Sequence, residues 1–364
     1  CPLRALNHFR NDADTDSFRG IQDSFCFHPN QHIIVGTLLP PDQDGGFFRG
    51  DLNLHVSIIS ETAQEIHEKY DFVSCQPYET KSTISRQTIA RFACAGVREV
   101  QPGIESFSTR TLRHMRKGAT ALQQVNFLKW CSAYGVHAGY GLIAGTPGET
   151  AEDLRQVLSV LRAIEHLDAP EQLNWLLLFQ TSDYYEQCDS YGFQDVQPLE
   201  AERLAYRAPG SVLQDLVSMY RYTLPSHRDP EYLAAFRAVE EWIAAHHSSA
   251  RAPSLTADDC GDCILITRRA LNGAQSLTAV ADSAELFLLR ECAEVRSLPG
   301  LIRNGPYDSD ALLTAAERLV TAGLMLVDGT WMLALPIPVD AEASVDAAWP
   351  AHITQPKRKE ECPS

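Results

Sequence analysis

The chain has 364 residues, 45% of them apolar, and a formal net charge of −16, which together predict a globular protein with room for two domains. The acidic charge disfavours nucleic acid and anionic membrane as partners, and no apolar run reaches the roughly 18 residues that a membrane span requires. Because no signal peptide is recognisable and the ten cysteines form no dense framework, we expect a cytoplasmic location.

Before residue 96, the fold prediction rests mainly on two strands and one helix. Residues 32–39 and 72–79 are short, largely apolar segments that favour strands. Residues 85–95 favour a helix, in which Cys94 packs as a small apolar side chain. This alternation of strand and helix is the first sign of an α/β fold.

Residues 97–149 are the most informative stretch of the chain. Residues 97–101 alternate apolar and polar side chains, as a short strand does, and Glu105 lies just past the C-terminal end of that strand. Two helices follow. The first helix is predicted to have Ser108 as its N-cap and to end at Gly118. The second is predicted to have Thr120 as its N-cap and to end at Gly135.

A second strand and helix complete this stretch. Residues 136–143 form an apolar segment interrupted by small residues, which favours a strand. A glycine-rich turn closes it at residues 145–148, and Thr150 with Asp153 can cap the next helix. Two consecutive βα units predict a parallel sheet covered by helices.

In such folds the ligand lies at the C-terminal ends of the strands, where Glu105, Gly141, Gly145 and Gly148 are predicted to fall. Glycines there allow a flat ligand to approach the backbone, and a carboxylate can accept hydrogen bonds from ribose hydroxyls or an amino group. The alternative is that these are turn residues only. Both interpretations stay open on spacing alone.

Further elements follow residue 150. The expected elements are a helix over 150–167, a buried parallel strand over 173–179, and amphipathic helices over 212–220 and 231–246. Tyr184, Tyr185 and Tyr191 either contact a substrate or pack against one another. Residues 248–262 have the composition of a linker, and the lone C-x2-C pair Cys260 and Cys263 lacks the second pair that a zinc site requires.

Residues 263–336 are predicted to form a second, small α+β domain. A strand, three helices and a hairpin with an Asp328-Gly329 turn suggest a winged-helix-like arrangement. Six arginines and eight acidic residues give this segment a net charge of −2, which argues against DNA binding. We expect residues 337–364 to be a disordered tail.

Four motifs carry a resemblance to a known family: QPGIES (residues 101–106), MRKG (115–118), LKWC (128–131) and GTPGE (145–149). Together they resemble the radical S-adenosylmethionine (SAM) superfamily, and more narrowly the cobalamin-dependent proteins that mature ribosomally made peptides. The resemblance implies a partial (β/α) TIM-like barrel over residues 1–247, followed by the linker and the winged-helix-like domain. It also implies SAM, a 4Fe-4S cluster and cobalamin as cofactors.

The same resemblance implies roles for individual residues. The SAM site would be lined by Glu105, Gly141, Ile143 and Gly145. Glu79 and Lys81 match the third-strand motif and would face the barrel mouth, the alternative being a surface ion pair worth under about 1 kcal/mol. Arg116 would contact the SAM carboxylate, or it serves only as a cation that complements a helix C-terminus.

The N-terminus departs from the family pattern. The superfamily holds its cluster with a C-x3-C-x2-C motif, and here Cys1 matches the second metal ligand while Arg4 stands in place of the third. Arginine stays charged and cannot bind iron. The first ligand and the cobalamin domain of the family would lie upstream of residue 1, so we expect a truncated or split chain.

Three functional hypotheses follow from these residues. The first is a radical SAM enzyme that modifies a ribosomal precursor peptide, for example by C-methylation. The second is a cluster-deficient relative that keeps the barrel and serves as a peptide-binding scaffold or as a partner of an active maturase. The third, a winged-helix regulator, is disfavoured by the charge.

Overall fold

A computed structural model describes residues 25–27, 33–35, 78–206 and 216–339. The first two of these ranges are the strands β1 (Phe25–Phe27) and β2 (Ile33–Val35), which pair antiparallel. Strand β2 lies within the predicted strand over 32–39. Cys1, Arg4 and residues 340–364 of the predicted tail lie outside the described residues, whereas Ile337 and Pro338, which were assigned to that tail, form a strand.

Parallel strands form the first part of the fold. In chain order they are β3 (Tyr78–Thr80), β4 (Glu99–Pro102), β5 (His137–Ala138), β6 (Leu142–Ala144) and β7 (Leu173–Trp175). β3, β4 and β5 are neighbours in one parallel sheet, and β6 pairs parallel with β7. The predicted α/β class is confirmed, and the described strands form an open arrangement, not a closed barrel.

Four helices cover these strands: α1 (Arg86–Cys94), α2 (Thr109–His114), α3 (Ala121–Ala133) and α4 (Ala151–Ala163). The predicted caps are confirmed. Ser108 accepts a hydrogen bond from the Thr111 amide, Thr120 forms a capping box, and the Thr150 amide donates to the Asp153 carboxylate. Gly118 and Gly135 take positive φ beyond the ends of α2 and α3.

The predicted strand over residues 136–143 is in fact two short strands. β5 pairs with β4, whereas β6 pairs with β7, so the chain changes partner between them. At the change, the Gly139 amide donates to the Val100 carbonyl and the Glu171 amide donates to the Tyr140 carbonyl. The small residues that interrupt the apolar run therefore mark the point where one strand bridges two neighbours.

A small antiparallel sheet follows, and it corrects two predictions. It consists of β8 (Leu178–Phe179), β9 (Gln194–Pro198) and β10 (Met219–Thr223), with the short helices α5 (Asp183–Glu186) and α6 (Glu200–Tyr206) between them. The apolar run over 173–179 is not one parallel strand, because β8 pairs antiparallel with β10. The predicted helix over 212–220 is wrong at its end, where β10 begins.

The C-terminal part begins with a 3-10 turn, Pro225–Arg228, and the long helix α7 (Pro230–His247), which confirms the helix predicted over 231–246. The range predicted as a linker contains a strand, β11 (Ser254–Asp259). It joins β12 (Ile264–Arg269), β13 (Gln275–Val280) and β17 (Ile337–Pro338) in a four-stranded sheet of order β13-β12-β11-β17. The alternation of apolar and polar residues at 254–259 is the sequence pattern that indicates strand β11.

The remaining elements are α8 (Ser283–Glu291), β14 (Arg296–Ser297), α9 (Leu298–Asn304), α10 (Ser309–Thr321), β15 (Met325–Asp328) and β16 (Trp331–Ala334). The three predicted helices and the hairpin at Asp328-Gly329 are confirmed as elements. The three strands form a sheet of order β14-β16-β15.

The C-terminal elements pack directly on the parallel-strand region. Lys129 of α3 is fully buried, and its ammonium donates to the carbonyls of Ala293 and Ala334. The Nε2 atom of His166 lies 3.2 Å from the backbone carbonyl oxygen of Leu335, the residue that follows Ala334. Burial lowers the pKa of Lys129 to about 7 and that of His166 to about 4. One continuous apolar core spans both regions, and the predicted domain boundaries stay a prediction.

Candidate functional site

Two turns meet at the C-terminal ends of β4 and β6. The Glu105 turn follows β4, and the Gly145 turn (residues 145–149) follows β6. The Ile143 amide donates to the Glu105 carbonyl over 2.8 Å, so two of the predicted SAM-contacting residues are neighbours across this edge. Pairing of β3 with β4 brings the end of β3 to the same edge, where the Gly103 amide donates to the Thr80 carbonyl.

The face of β6 at this edge is partly open. Gly141 and Ile143 are half-buried, whereas Leu142 and Ala144, which point to the other face, are buried. An apolar side chain and a glycine on the accessible face of a strand end are suited to contact with a flat ring.

The Glu105 side chain is polar, accessible and paired. Its carboxylate accepts a hydrogen bond from the Lys117 ammonium, and 21% of the Glu105 side chain and 35% of the Lys117 side chain remain exposed. At such an exposure the pair stabilises the fold by under about 1 kcal/mol. The carboxylate can therefore exchange its partner for a ligand at little cost to folding.

The Gly145 turn is held by buried internal groups. Glu149 is 6% exposed, and its carboxylate accepts hydrogen bonds from the Gly145 amide at 2.7 Å and from the hydroxyl of Tyr232, a residue of α7. The Gly145 amide also donates to the Tyr232 oxygen. Burial raises the pKa of Glu149, and the hydrogen bonds from Tyr232 and Gly145 partly offset this.

The α-carbon of Gly145 faces protein, not open space. Its φ is +78°, and a Cβ at this position would lie 2.6 Å from the Trp175 ring and 3.3 Å from His227 Nε2. Trp175 stacks on Phe236 and meets the His227 ring edge-on, each with centroids 4.5 Å apart. Glycine is therefore required here by backbone conformation and by the close approach of Trp175.

The other predicted site residues are more exposed to solvent than those of the two turns. Glu79 is an exposed residue of β3, and Lys81 follows that strand, also exposed. Arg116 adopts a positive φ of 55° and pairs with Asp183 at 3.0 Å, with most of both side chains exposed. The structure thus places Arg116 against α5, and its role as a SAM contact stays a prediction.

Two further sets of sequence-predicted residues make packing or turn contacts. Tyr184, Tyr185 and Tyr191 pack into a small aromatic cluster with centroid separations such as 4.9 Å for Tyr184 and Tyr191. Cys260 and Cys263 close the turn between β11 and β12, where the Cys260 amide donates to the Cys263 carbonyl. Within the described residues, no group of three or more metal-binding side chains is placed to hold a metal ion.

Three residues of the site escaped the sequence analysis. Glu149 lies inside the GTPGE motif, and its short spacing from Gly145 could have indicated that it contacts the turn. Tyr232 and His227 come from elements more than 75 residues further along the chain, and no local pattern connects them to the Gly145 turn. In the described part of the chain, no helix is long and apolar enough to cross a bilayer.

Comparison with known proteins gives one family match. Residues 47–161 match the Radical SAM superfamily, and no curated protein matches the chain. Among solved structures, the chain is similar to TsrM from Kitasatospora setae, a radical S-adenosylmethionine methyltransferase with cobalamin and a 4Fe-4S cluster bound. The identity is 17%, the match covers 52% of this chain and 42% of that chain, and the TM-score is 0.38.

Two other solved structures are similar to parts of the chain. One is OxsB, a cobalamin-dependent S-adenosylmethionine radical enzyme, with 16% identity over 45% of this chain and 21% of that chain and a TM-score of 0.27. Another is HemN, the coproporphyrinogen III oxidase of Escherichia coli, with 13% identity over 80% and 73% and a TM-score of 0.29. The matched range 47–161 contains Glu79, Lys81 and all the other predicted SAM contacts. Residues 47–161 of this chain are therefore similar to the Radical SAM superfamily.

Proposed function

We propose that this chain belongs to a protein that binds SAM at the edge formed by the Glu105 turn and β6. The observation that supports it most is the hydrogen bond from the Ile143 amide to the Glu105 carbonyl, which joins the QPGIES motif to strand β6 within the matched range. Glu105 offers an accessible carboxylate to the polar groups of SAM, and Ile143 offers apolar surface to its adenine ring.

The residues present fit this ligand in part. The accessible face of β6 and the Glu105 carboxylate suit an adenosyl group, whereas the α-carbon of Gly145 packs against Trp175 and leaves no room there. Gly145 would therefore shape the site through its turn, and direct contacts would come from Glu105, Gly141 and Ile143. The Glu149 and Tyr232 side chains hold that turn in place.

The iron–sulfur cluster has no ligand set within the described residues. Cys1 and Arg4, on which the predicted cluster motif depends, lie outside them. When bound beside a reduced cluster, SAM supplies an adenosyl radical or a methyl group. The part played by this chain's own residues is to bind and orient the nucleotide at the β4 and β6 edge.

The finer proposal is maturation of a ribosomally synthesised peptide, for example by C-methylation, in the cytoplasm and with cobalamin as a further cofactor. It rests on the motifs at residues 101–106, 115–118, 128–131 and 145–149. We propose that α8 to α10 and the sheet of β14, β15 and β16 form a winged-helix-like element that binds a precursor peptide, and the presence of these helices beside a three-stranded sheet supports this. The predicted domain over residues 263–336, which contains these elements, has a net charge of −2, and this favours such a partner over nucleic acid.

A second candidate is a cluster-deficient scaffold that binds the peptide for an active maturase. The observation that favours it is Arg4, which occupies the place of a cluster cysteine in the family pattern. The two candidates share the SAM-family fold and differ in the cluster.

Anaerobic reconstitution of the full-length protein with iron and sulfide separates them. An enzyme would bind four irons per chain and, with a strong reductant, cleave SAM to 5′-deoxyadenosine. A scaffold would take up no iron, yet would retain a precursor peptide in a pull-down. A protein that binds neither iron, SAM nor peptide would refute both proposals.

A further inference from the structure

Strand β13 (Gln275–Val280) lies at the edge of the four-stranded sheet and is exposed along almost its whole length. It pairs with β12 on one side, and no described strand pairs with its other side. Every residue from Gln275 to Ala279 is exposed, and the Leu277 side chain is 70% exposed. Such a row of accessible backbone groups is a template for a further strand.

The register identifies which backbone groups face outward. At the turn, the Ala270 amide donates to the Ala274 carbonyl, so residues 270 and 274 form a hydrogen-bonded pair. Antiparallel pairs alternate between hydrogen-bonded and non-hydrogen-bonded, and the pairing of Arg268 with Ser276 is therefore hydrogen-bonded, whereas that of Thr267 with Leu277 is not. The amides and carbonyls of residues 275, 277 and 279 consequently point away from β12.

Natural proteins usually protect such an edge with lysine, proline, a bulge or a covering element. β13 has the sequence QSLTAV, which contains no charge and no proline. Its pairing with β12 is continuous over six residue pairs, without a bulge. An unprotected, straight edge with an exposed leucine is therefore a candidate docking site.

The charge around this edge differs from that of the chain. Residues 263–281 contain Arg268 and Arg269 and no acidic residue, although the whole chain has a net charge of −16. Arg268 donates to the carbonyls of Ala322 and Gly323, and Arg269 donates to the Ala252 carbonyl. Among the described residues, neither arginine forms an ion pair with a carboxylate, and the hydrogen-bond partners of both are backbone carbonyls.

We propose that β13 accepts an extended segment of an acidic peptide as a fifth, outer strand of this sheet. Main-chain hydrogen bonds to residues 275, 277 and 279 would hold the peptide. Its carboxylates would face the arginines of β12 across one intervening strand, a separation of about 10 Å that long side chains can bridge. A second copy of this chain fits less well, because it would bring the same two arginines and a second net charge of −16.

The precursor peptide proposed above belongs to this class of ligand, and in that respect the inference rests on the proposed function. The sheet itself lies outside the matched range 47–161, and strand addition requires neither SAM nor a cluster. Peptide binding measured without nucleotide therefore tests the edge separately from the SAM site.

The experiment uses the full-length protein and two pools of short, randomised synthetic peptides. One pool carries glutamate at two fixed positions, and the other carries glutamine there. The key variant is Leu277→Pro, which removes an outward amide and leaves the hairpin hydrogen bonds of Ser276 and Thr278 in place. Leu277→Thr is the matched control, because it removes the leucine side chain and keeps the amide.

We expect the wild-type protein and Leu277→Thr to retain the glutamate pool, and Leu277→Pro to bind it about tenfold more weakly. Retained peptides should slow hydrogen exchange of the amides of residues 275, 277 and 279 in the wild-type protein, a readout that does not depend on the proline variant folding. Equal retention of both pools, or retention without protection of these amides, would overturn the proposal. A wild-type dimer that Leu277→Pro dissociates would also overturn it, because the edge would then serve a second copy.

Discussion

The Glu105 turn and the Gly145 turn occupy the same strand edge but are stabilised differently. The Gly145 turn is fixed by a buried carboxylate, that of Glu149, and by the hydroxyl of Tyr232 from a distant helix. The Glu105 turn has a solvent-accessible ion pair with Lys117 from the neighbouring helix end. In the Gly145 turn, the Gly145 amide and the Glu149 carboxylate are hydrogen-bonded within the protein, whereas the Glu105 turn can offer a carboxylate to a ligand.

The Gly145 turn therefore positions the site, whereas Glu105 recognises the ligand. Substitutions in the Gly145 turn should reduce stability strongly, because they disturb buried groups in a dense environment. Substitutions at Glu105 should leave stability almost unchanged and reduce ligand binding. A glycine-rich motif can therefore be essential to a site without contacting the ligand through its α-carbon.

The largest expected effect is that of Gly145→Ala. The new Cβ would lie 2.6 Å from the Trp175 ring on a backbone with φ of +78°. Strain of the left-handed conformation and overpacking together should lower the free energy of unfolding by about 3 kcal/mol. Urea denaturation followed by tryptophan fluorescence would measure it.

Gly118→Ala is the matched control for this prediction. Gly118 also has a positive φ, +66°, but a Cβ there would meet no atom within 4 Å. Only the conformational strain of about 1 kcal/mol is expected. Equal losses in the two variants would show that the Trp175 contact does not constrain the Gly145 turn.

Asp153→Asn is expected to have the next largest effect. The carboxylate is buried and accepts hydrogen bonds from Ser108 and Arg110, each at 2.9 Å to Oδ1, and also caps α4 at Thr150. Loss of these charge-assisted hydrogen bonds should cost about 2 kcal/mol. Glu152→Gln, at a side chain that is 79% exposed, should change stability by less than about 0.5 kcal/mol.

This effect should depend on pH in a defined direction. Burial disfavours the charged form of Asp153, but the hydrogen bonds from Arg110 and Thr150 outweigh it and lower the pKa from 3.8 to about 2. Because the folded-state pKa is lowered, the contribution is present above pH 3.8 and is lost as the pH falls toward 2. Unfolding free energies of the two proteins should converge over that window, and a constant difference would contradict the assignment.

Tyr232→Phe should destabilise by about 1 kcal/mol, since Glu149 and Gly145 each lose one hydrogen bond but keep the one that joins them. Thermal denaturation would measure it, with Tyr206→Phe at a residue that is 47% exposed as the control. A neutral result would mean that α7 does not hold the turn.

Glu105→Gln should have the smallest effect on stability, under about 1 kcal/mol, because its ion pair with Lys117 is accessible to solvent. The same denaturation series would test it. A loss as large as that of Gly145→Ala would show that Glu105 is a structural residue and would remove the contrast between the two turns.

Local signals accounted for much of the fold. Ser108, Thr120 and Thr150 were identified as caps because a cap depends only on residues up to three positions away. The hairpin at Asp328-Gly329 was predicted for the same reason. The predicted parallel strand over 173–179 is confirmed at Leu173–Trp175 and wrong at Leu178–Phe179, because an apolar run does not show where a chain leaves one sheet to pair antiparallel in another.

The site was predictable only in part. The predicted strands place Glu105 and Gly141 at one edge, since the C-terminal ends of parallel strands lie together. They did not reveal that Gly145 faces Trp175, or that Tyr232 closes the turn, because those contacts join residues 30 and 87 positions apart. Tertiary contacts of this kind leave no periodic signal in one sequence.

Isothermal titration of SAM into the full-length protein, its Glu105→Gln variant and its Glu152→Gln variant tests the central claim most directly. We predict that the wild-type protein and Glu152→Gln bind SAM equally, and that Glu105→Gln binds about tenfold more weakly because one charge-assisted hydrogen bond is lost. Absence of binding heat in the wild-type protein, or unchanged affinity in Glu105→Gln, would contradict a SAM site at this edge.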